Sequence, residues 1–359
     1  MATLRKTFDL SKYVKSATRS IDNISTGFND PKTWVSTGSY LLNKLISNDF
    51  TRGIPLGKLT MFAGESGSGK SFICSGNIVR EAQSQGIFVV LIDSENALDE
   101  DWLKALGVDT SPSKLMRLGM SMIDDVAKFI SEFVKSYRED YETFSPEERP
   151  KLLFVIDSLG MLLTQTNVDQ FEGGTLKGDM GRKSQQLKAL MSNCVNMFGA
   201  LDIGMILTNH TYKSQDMFSP DDKISGGDAI IYQPSIVVAI KKGKLKEDSE
   251  GNKSVEVNGI RAMVQVNKSR YSKPFEKAEI KIPYESGMDP YSGLIDFFES
   301  RGVLIKDGNK LTYTAKDGTV IKEFRKGITN DHLDLIMCEW SEEKFGFKGS
   351  SDKVVPDDE

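Results

Sequence analysis

Apolar residues along this chain fall into short dense runs separated by longer mixed stretches. LTMFA (59–63), IFVVLI (87–92), LLFVI (152–156), GMILT (204–208) and SIVVAI (235–240) each read as a buried strand. Between them, KSFICSGNIVREAQ (70–83) and IDDVAKFISEFVKSY (123–137) are amphipathic and read as helices. Buried strands alternating with helices predict an α/β fold, a mainly parallel central sheet sandwiched by helices. Residues 1–33 are polar with scattered apolar positions and read as a short helix and an arm. Residues 34–288 form the predicted core. Within it, KKGKLKEDSEGNKSVEVNG (241–259) reads as an exposed hairpin tip, followed by strand-like IRAMVQV and AEIKI. A small C-terminal α+β unit is expected over 289–347, and 348–359 (ending SSDKVVPDDE) as a disordered tail.

Composition narrows the setting. The 359 residues are 39% hydrophobic and 27% charged, with a net charge of −5, so a nucleic-acid partner needs local basic patches. Cys74, Cys194 and Cys338 lie far apart, which argues against a disulfide framework or zinc ribbon and fits a reducing cytoplasm. Two histidines make histidine-rich metal chemistry a poor fit. MATLRKTF lacks an apolar signal region, and no run is long enough to span a bilayer, so no membrane association is expected.

The chemistry enters at MFAGESGSGKSF (61–72). Gly64-x-x-x-x-Gly69-Lys70-Ser71 follows a strand and opens a helix, the context of a phosphate-cradling loop. Glycines let backbone N–H groups curl around phosphates, and the helix N-terminus adds a positive dipole end. The loop Gly64, Glu65, Ser66, Gly67, Ser68, Gly69, Lys70, Ser71 and Phe72 is therefore expected to bind ATP. Lys70 reaches the β- and γ-phosphates and Ser71 ligates Mg2+.

Asp157 ends the strand of KLLFVIDSLG, where a carboxylate needs a partner such as a metal; it is assigned to the magnesium water shell. A helix cap is the plainer alternative. Ser158 follows it, so the carboxylate that orients the attacking water must come from elsewhere. Asp93 and Glu95 in VVLIDSENALDEDW end another apolar strand, facing the ligand crevice of an open α/β sheet. Glu95 is the chosen base, with the reservation that one of these acids caps the helix after it.

These residues carry a family resemblance. LIDSENALDEDWLKALGVD, VSTGSYLLNKLI, FVIDSLG, Asn209-His210, Gly226-Gly227 and KPFEKAEIKIPYESGMDPYSGLID resemble, in order, the RecA-like recombinases, over roughly residues 34–324. SLG, NHTY, DMFS and NKSR are similar to the phage members more than to the bacterial ones. The resemblance implies that Glu95 activates water, Asp99 contacts adenine and Trp102 stacks on the nucleotide. It implies that His210 senses the γ-phosphate. Lys268 and Arg270 would reach the nucleotide of a neighbouring subunit in a helical filament, like an arginine finger in trans.

The resemblance also implies single-stranded DNA binding by two loops, about 168–183 and 211–227. By formal charge the first is neutral and the second is net negative by one. Contacts are therefore expected from glycine N–H groups, a few cations and apolar wedges: Gly181, Arg182, Lys183, Lys213, Met217, Phe218, Gly226 and Gly227. The implied function is ATP-dependent homologous pairing and strand exchange with homologous duplex DNA, alongside phage single-strand-binding and mediator proteins. A ring helicase motor and a non-hydrolysing mediator are the competing classes. Closed rings would mark the first, and absence of phosphate release the second.

Overall fold

The computed structural model describes residues 30–141, 143–145, 148–175, 177, 181–213, 223–247 and 251–340, with Ser11, Tyr13, Val14, Ala17 and Arg19. Met217, Phe218 and the 348–359 tail lie outside the described residues. The chain divides into two compact units, Met1–Asp30 and Pro31–Glu359. In the first, Ser11, Tyr13, Val14 and Ala17 are helical.

In the second unit, β1 (Trp34–Val35) pairs with β2 (Ile54–Pro55) around α1 (Tyr40–Ser47). Ser39 caps α1 by accepting the Leu42 N–H at 3.2 Å. Then come β3 (Leu59–Gly64), a π-helical turn Phe72–Ile78 running into α2 (Val79–Ser84), β4 (Phe88–Asp93), α3 (Glu100–Ala105), β5 (Leu115–Gly119), α4 (Ile123–Tyr141) and β6 (Leu152–Asp157). They are followed by α5 (Gln165–Glu172), α6 (Arg182–Phe198), β7 (Gly204–Tyr212), β8 (Lys223–Ile224), α7 (Asp228–Tyr232), β9 (Ile236–Leu245), β10 (Gly259–Lys268) and β11 (Lys277–Pro283).

Among the described residues these strands form one sheet in the order β11-β10-β9-β3-β7-β6-β4-β5, with β8 on the end of β7. The pairs from β9 to β5 are parallel; β9–β10 and β10–β11 are antiparallel. Side chains alternate across each strand. Val89 and Leu91 of β4 join one hydrophobic cluster, with α1, α2 and α3, while Val90 and Ile92 join another, with α4 and α6. Every central strand is thus buried on both faces, which is why the strands read as unbroken apolar runs. The helix-sandwiched, mostly parallel sheet expected from the sequence is the fold observed.

Two expectations differ. The 241–259 run is not all hairpin tip, since β9 continues through Lys241–Leu245, paired with β10 from Lys241↔Met263 to Leu245↔Gly259. Of those five residues only Leu245 is buried, so no apolar alternation marked the strand. β5 was also missed. It is an edge strand in which Leu115 alone is buried.

Beyond β11 come α8 (Leu294–Ser300), the three-stranded sheet β12 (Ile305–Asp307), β13 (Lys310–Thr314) and β14 (Val320–Phe324), and α9 (Asn330–Glu339). Phe297, Phe298, Leu333 and Ile336 join the same cluster as Leu41, Leu42 and Leu45 of α1.

Candidate nucleotide site

The site assembles where β3, β4, β6 and β7 end. Gly64 closes β3 against β9, and a Cβ there would lie 2.4 Å from the Ile240 carbonyl oxygen, so only glycine fits. Gly69, at φ +92°, turns the chain into the helix, a conformation other residues rarely adopt. Lys70 is buried, and its Nζ donates to the Gly64 and Glu65 carbonyls at 2.9 and 2.8 Å. Burial lowers its pKa from the ordinary lysine value, and the nearby Asp157 opposes that shift.

Asp157, 6% exposed, accepts Thr208 Oγ1–H at 2.5 Å and Ser75 Oγ–H at 3.1 Å, one on each carboxylate oxygen. Those hydroxyls satisfy the buried charge and leave lone pairs on both oxygens. Oxygen donors on Ser71 and Asp157 suit a hard cation such as magnesium. Among the described residues no group of three or more His, Cys, Asp or Glu could cage a metal. Such a sparse donor set matches ions held largely by water and phosphate.

The two acids after β4 divide their roles. Asp93, 1% exposed, pairs with Arg117 at 2.7 Å and accepts the N–H groups of Glu95, Ala97 and Leu98. It organises the turn but caps no helix, since the cap of α3 is Asp99. Glu95 points back across the strand ends. Its Oε1 accepts the Ser158 hydroxyl at 2.8 Å and lies 2.9 Å from His210 Nε2. Burial pushes its pKa up, but these hydrogen bonds and the charges of His210 and Lys70 outweigh burial and hold it below the ordinary glutamate value. An ionised carboxylate only accepts, so His210 Nε2 carries the hydrogen.

His210 is fixed by its neighbour. Asn209 Oδ1 accepts the His210 N–H at 2.8 Å, and Asn209 Nδ2 donates to the Ser225 carbonyl at 2.8 Å, where β8 leaves the second loop. Gly226 and Gly227 follow directly. At the first loop, Arg182 donates to Thr166 Oγ1 at 3.3 Å and Lys183 to the Gly160 carbonyl at 2.6 Å. Gly181 precedes α6, and Lys213 lies just beyond β7.

A cavity of about 450 Å³ opens beside the phosphate loop, lined by Gly69, Lys70, Ser71, Phe72, Trp102 and Tyr284 among others. Trp102 meets Phe72 edge-on, ring centroids 6.5 Å apart. Asp99 caps α3, its Oδ1 accepting the Trp102 N–H at 2.9 Å. Glu65 lies 3.7 Å from Lys242 Nζ, which also donates to the Ser66 carbonyl at 2.7 Å. Sequence reasoning missed Lys242, because the run containing it reads as a solvated tip. It also missed Tyr284 and Arg80, which join the cavity only through the fold.

Lys268 and Arg270 are not part of this cluster. Lys268 pairs with Val237, which is level with Met61, whereas the phosphate loop leaves β3 at Gly64. That is three residues down the sheet, roughly 10 Å at the rise of a strand. Lys268 Nζ donates to the Tyr232 carbonyl at 2.7 Å at the end of α7, and Arg270 is exposed.

Comparison with known proteins agrees with this geometry. Residues 15–131 match the RecA N-terminal domain. The chain is similar to the "Recombination and repair protein" of Enterobacteria phage T4, 27% identical over 83% of this chain and 72% of that protein. It is similar to "Protein RecA" of Mycobacteroides abscessus, 26% identical over 91% of this chain and 88% of that protein. It is also similar to "Protein RecA" of Nocardioides sp., 28% identical over 79% and 75%. Identity does not separate the phage protein from the bacterial ones. No described helix is long and apolar enough to cross a membrane. The sandwiched sheet, the phosphate loop and these likenesses together make the chain similar to the RecA recombinases.

Proposed function

We propose that this chain is an ATP-dependent homologous-recombination protein. In this reading it forms a helical filament on single-stranded DNA, pairs that strand with homologous duplex and exchanges strands. DNA stimulates its ATP hydrolysis. The observation that carries the reading is the convergence of Lys70, Asp157, Glu95 and His210 at four adjacent strand ends.

The roles follow from the chemistry. Glu65 to Phe72 wrap the phosphates. Phe72 and Trp102 offer apolar faces to the base, with Asp99 at the edge. Lys70 exchanges its two carbonyl acceptors for phosphate oxygens. Ser71 and, through water, Asp157 would hold magnesium, which when bound neutralises charge on the phosphoryl oxygens. Glu95, ionised, accepts a proton from the attacking water. Its Oε1 already takes two donors, which leaves Oε2 to receive the water. His210 holds the base and lies one residue from Asn209, which ties it to the foot of the second loop. Lys268 and Arg270 serve a neighbour's ATP, and their distance from their own phosphate loop supports that. Strand exchange itself breaks no covalent bond.

The DNA contacts we assign are Gly181, Arg182, Lys183, Lys213, Met217, Phe218, Gly226 and Gly227. The N-terminal arm docks on the next subunit, with the core at 34–288 and a small unit at 289–347. The finer assignment is to the phage form, UvsX, working in the host cytoplasm with phage single-strand-binding and mediator proteins; the SLG, NHTY and NKSR details support it. The test is phosphate release with and without single-stranded DNA, joined to a strand-exchange assay and electron microscopy. Turnover that ignores DNA, or closed rings without strand exchange, sinks the reading.

A further inference from the structure

Lys183 stands where the first loop enters α6, yet its ammonium turns inward. Nζ donates to the Gly160 carbonyl at 2.6 Å. Gly160 is the middle of the 3-10 turn Leu159–Met161, and the residue before that turn is Ser158. Ser158 is fully buried and held from both sides of its own backbone. Its N–H donates to Ser94 Oγ at 2.8 Å, and Ser94 Oγ–H donates to its carbonyl at 2.7 Å. Its side chain then donates to Glu95 Oε1.

The turn is also wedged. A Cβ on Gly160 would lie 2.5 Å from Asn209 Oδ1, the atom that fixes the His210 N–H. The turn held by Lys183 therefore sits between the two donors of Glu95. A side-chain hydroxyl can hold a carboxylate to a fraction of an ångström only if its own backbone is fixed, and catalysis is sensitive at that scale.

We propose that Lys183 is a positioning residue for Glu95. It braces the Leu159–Met161 turn so that Ser158 holds the carboxylate, and it joins the first loop to the base by a path separate from His210 and the second loop. This rests on the reading of Glu95 as the base and of the first loop as a contact for single-stranded DNA.

The test uses the full chain, ATP and saturating oligo(dT). Lys183→Met keeps length and loses the donor. Its kcat at saturating oligo(dT) should fall about tenfold, with KM for ATP within about threefold of wild type. Lys183→Arg, which can still donate, should recover most of the loss. Ser158→Ala should lower kcat likewise, and Ser158→Thr should recover it. Because the two residues act on one path, Lys183→Met added to Ser158→Ala should cost less than about twofold more.

The proposal is overturned if Lys183→Met keeps the wild-type kcat. It is also overturned if that variant weakens oligo(dT) binding with a shallower salt dependence while the double variant shows the product of the two single losses. Lys183 is then only a phosphate contact. Equal losses in Ser158→Ala and Ser158→Thr overturn it too, and that arm stands even if Lys183→Met does not fold. Wild-type turnover in Glu95→Gln would instead sink the base assignment beneath it, so the two failures are distinguishable.

Discussion

His210 Nε2 lies 2.9 Å from Glu95 Oε1, although the residues are 115 positions apart and come from strands separated by β6. The contact holds the carboxylate below its ordinary pKa. A depressed acid keeps its charge, and the stability that goes with it, above the unfolded value and loses both as pH falls through the folded one. In His210→Ala the Glu95 pKa should rise. The acid-side fall of kcat should then begin at higher pH than in wild type, and His210→Gln, which keeps a neutral donor, should lie between. A pH profile of kcat checks this, and superimposable acid limbs would remove His210 from the mechanism.

Lys70 is buried with its ammonium on two loop carbonyls. Lys70→Ala removes the cation that a triphosphate needs while leaving those carbonyls able to meet water. Turnover should be abolished with the thermal unfolding midpoint nearly unchanged. Wild-type hydrolysis in a folded variant would end the nucleotide assignment.

If Lys268 and Arg270 serve a neighbour, each active site has halves from two chains. Glu95→Ala spoils one half, and Lys268→Ala with Arg270→Ala spoils the other. At equal random mixing about a quarter of interfaces are whole, a loss of only ~0.8 kcal/mol in apparent rate terms. The mixture on DNA should hydrolyse more than the sum of the variants measured alone. No rescue at any ratio, with mixing on DNA verified, would place the two cations within their own subunit's chemistry or outside it.

The fold itself can be probed at Phe154, fully buried on β6 and stacked on Phe198 at 5.4 Å. Phe154→Ala should cost about 3–5 kcal/mol, read from urea unfolding. A loss below about 1 kcal/mol would mean that the sheet face is not packed as described.

The central strands were legible because two-sided burial leaves them mostly apolar: Val89 to Ile92 are all fully buried. The phosphate loop was legible because its residues are consecutive. Asp157 and Glu95 were reachable because each ends or closely follows such a strand, whereas His210 was reachable only through the resemblance. What escaped needed three dimensions. Asp93 and Glu95 look alike in sequence, and only Arg117 and three backbone amides make one of them structural. Ser158 read as the gap where a glutamate was missing, yet its hydroxyl holds the glutamate supplied from β4. Lys242 was hidden by the exposed lysines around it, which carry no apolar alternation.

The register of β10 has a consequence for assembly. Each chain carries its phosphate loop toward one end of the sheet and Lys268 toward the other. With trans cations, the molecule has a receiving pole and a donating pole, and a row of n subunits holds n minus one finished sites. The terminal subunit would then keep its ATP unspent. Hydrolysis per subunit should then climb with row length and level off, so short rows persist while long ones turn over. Growth at the two tips would then be unequal for the same reason, since only one tip would expose an unserved nucleotide.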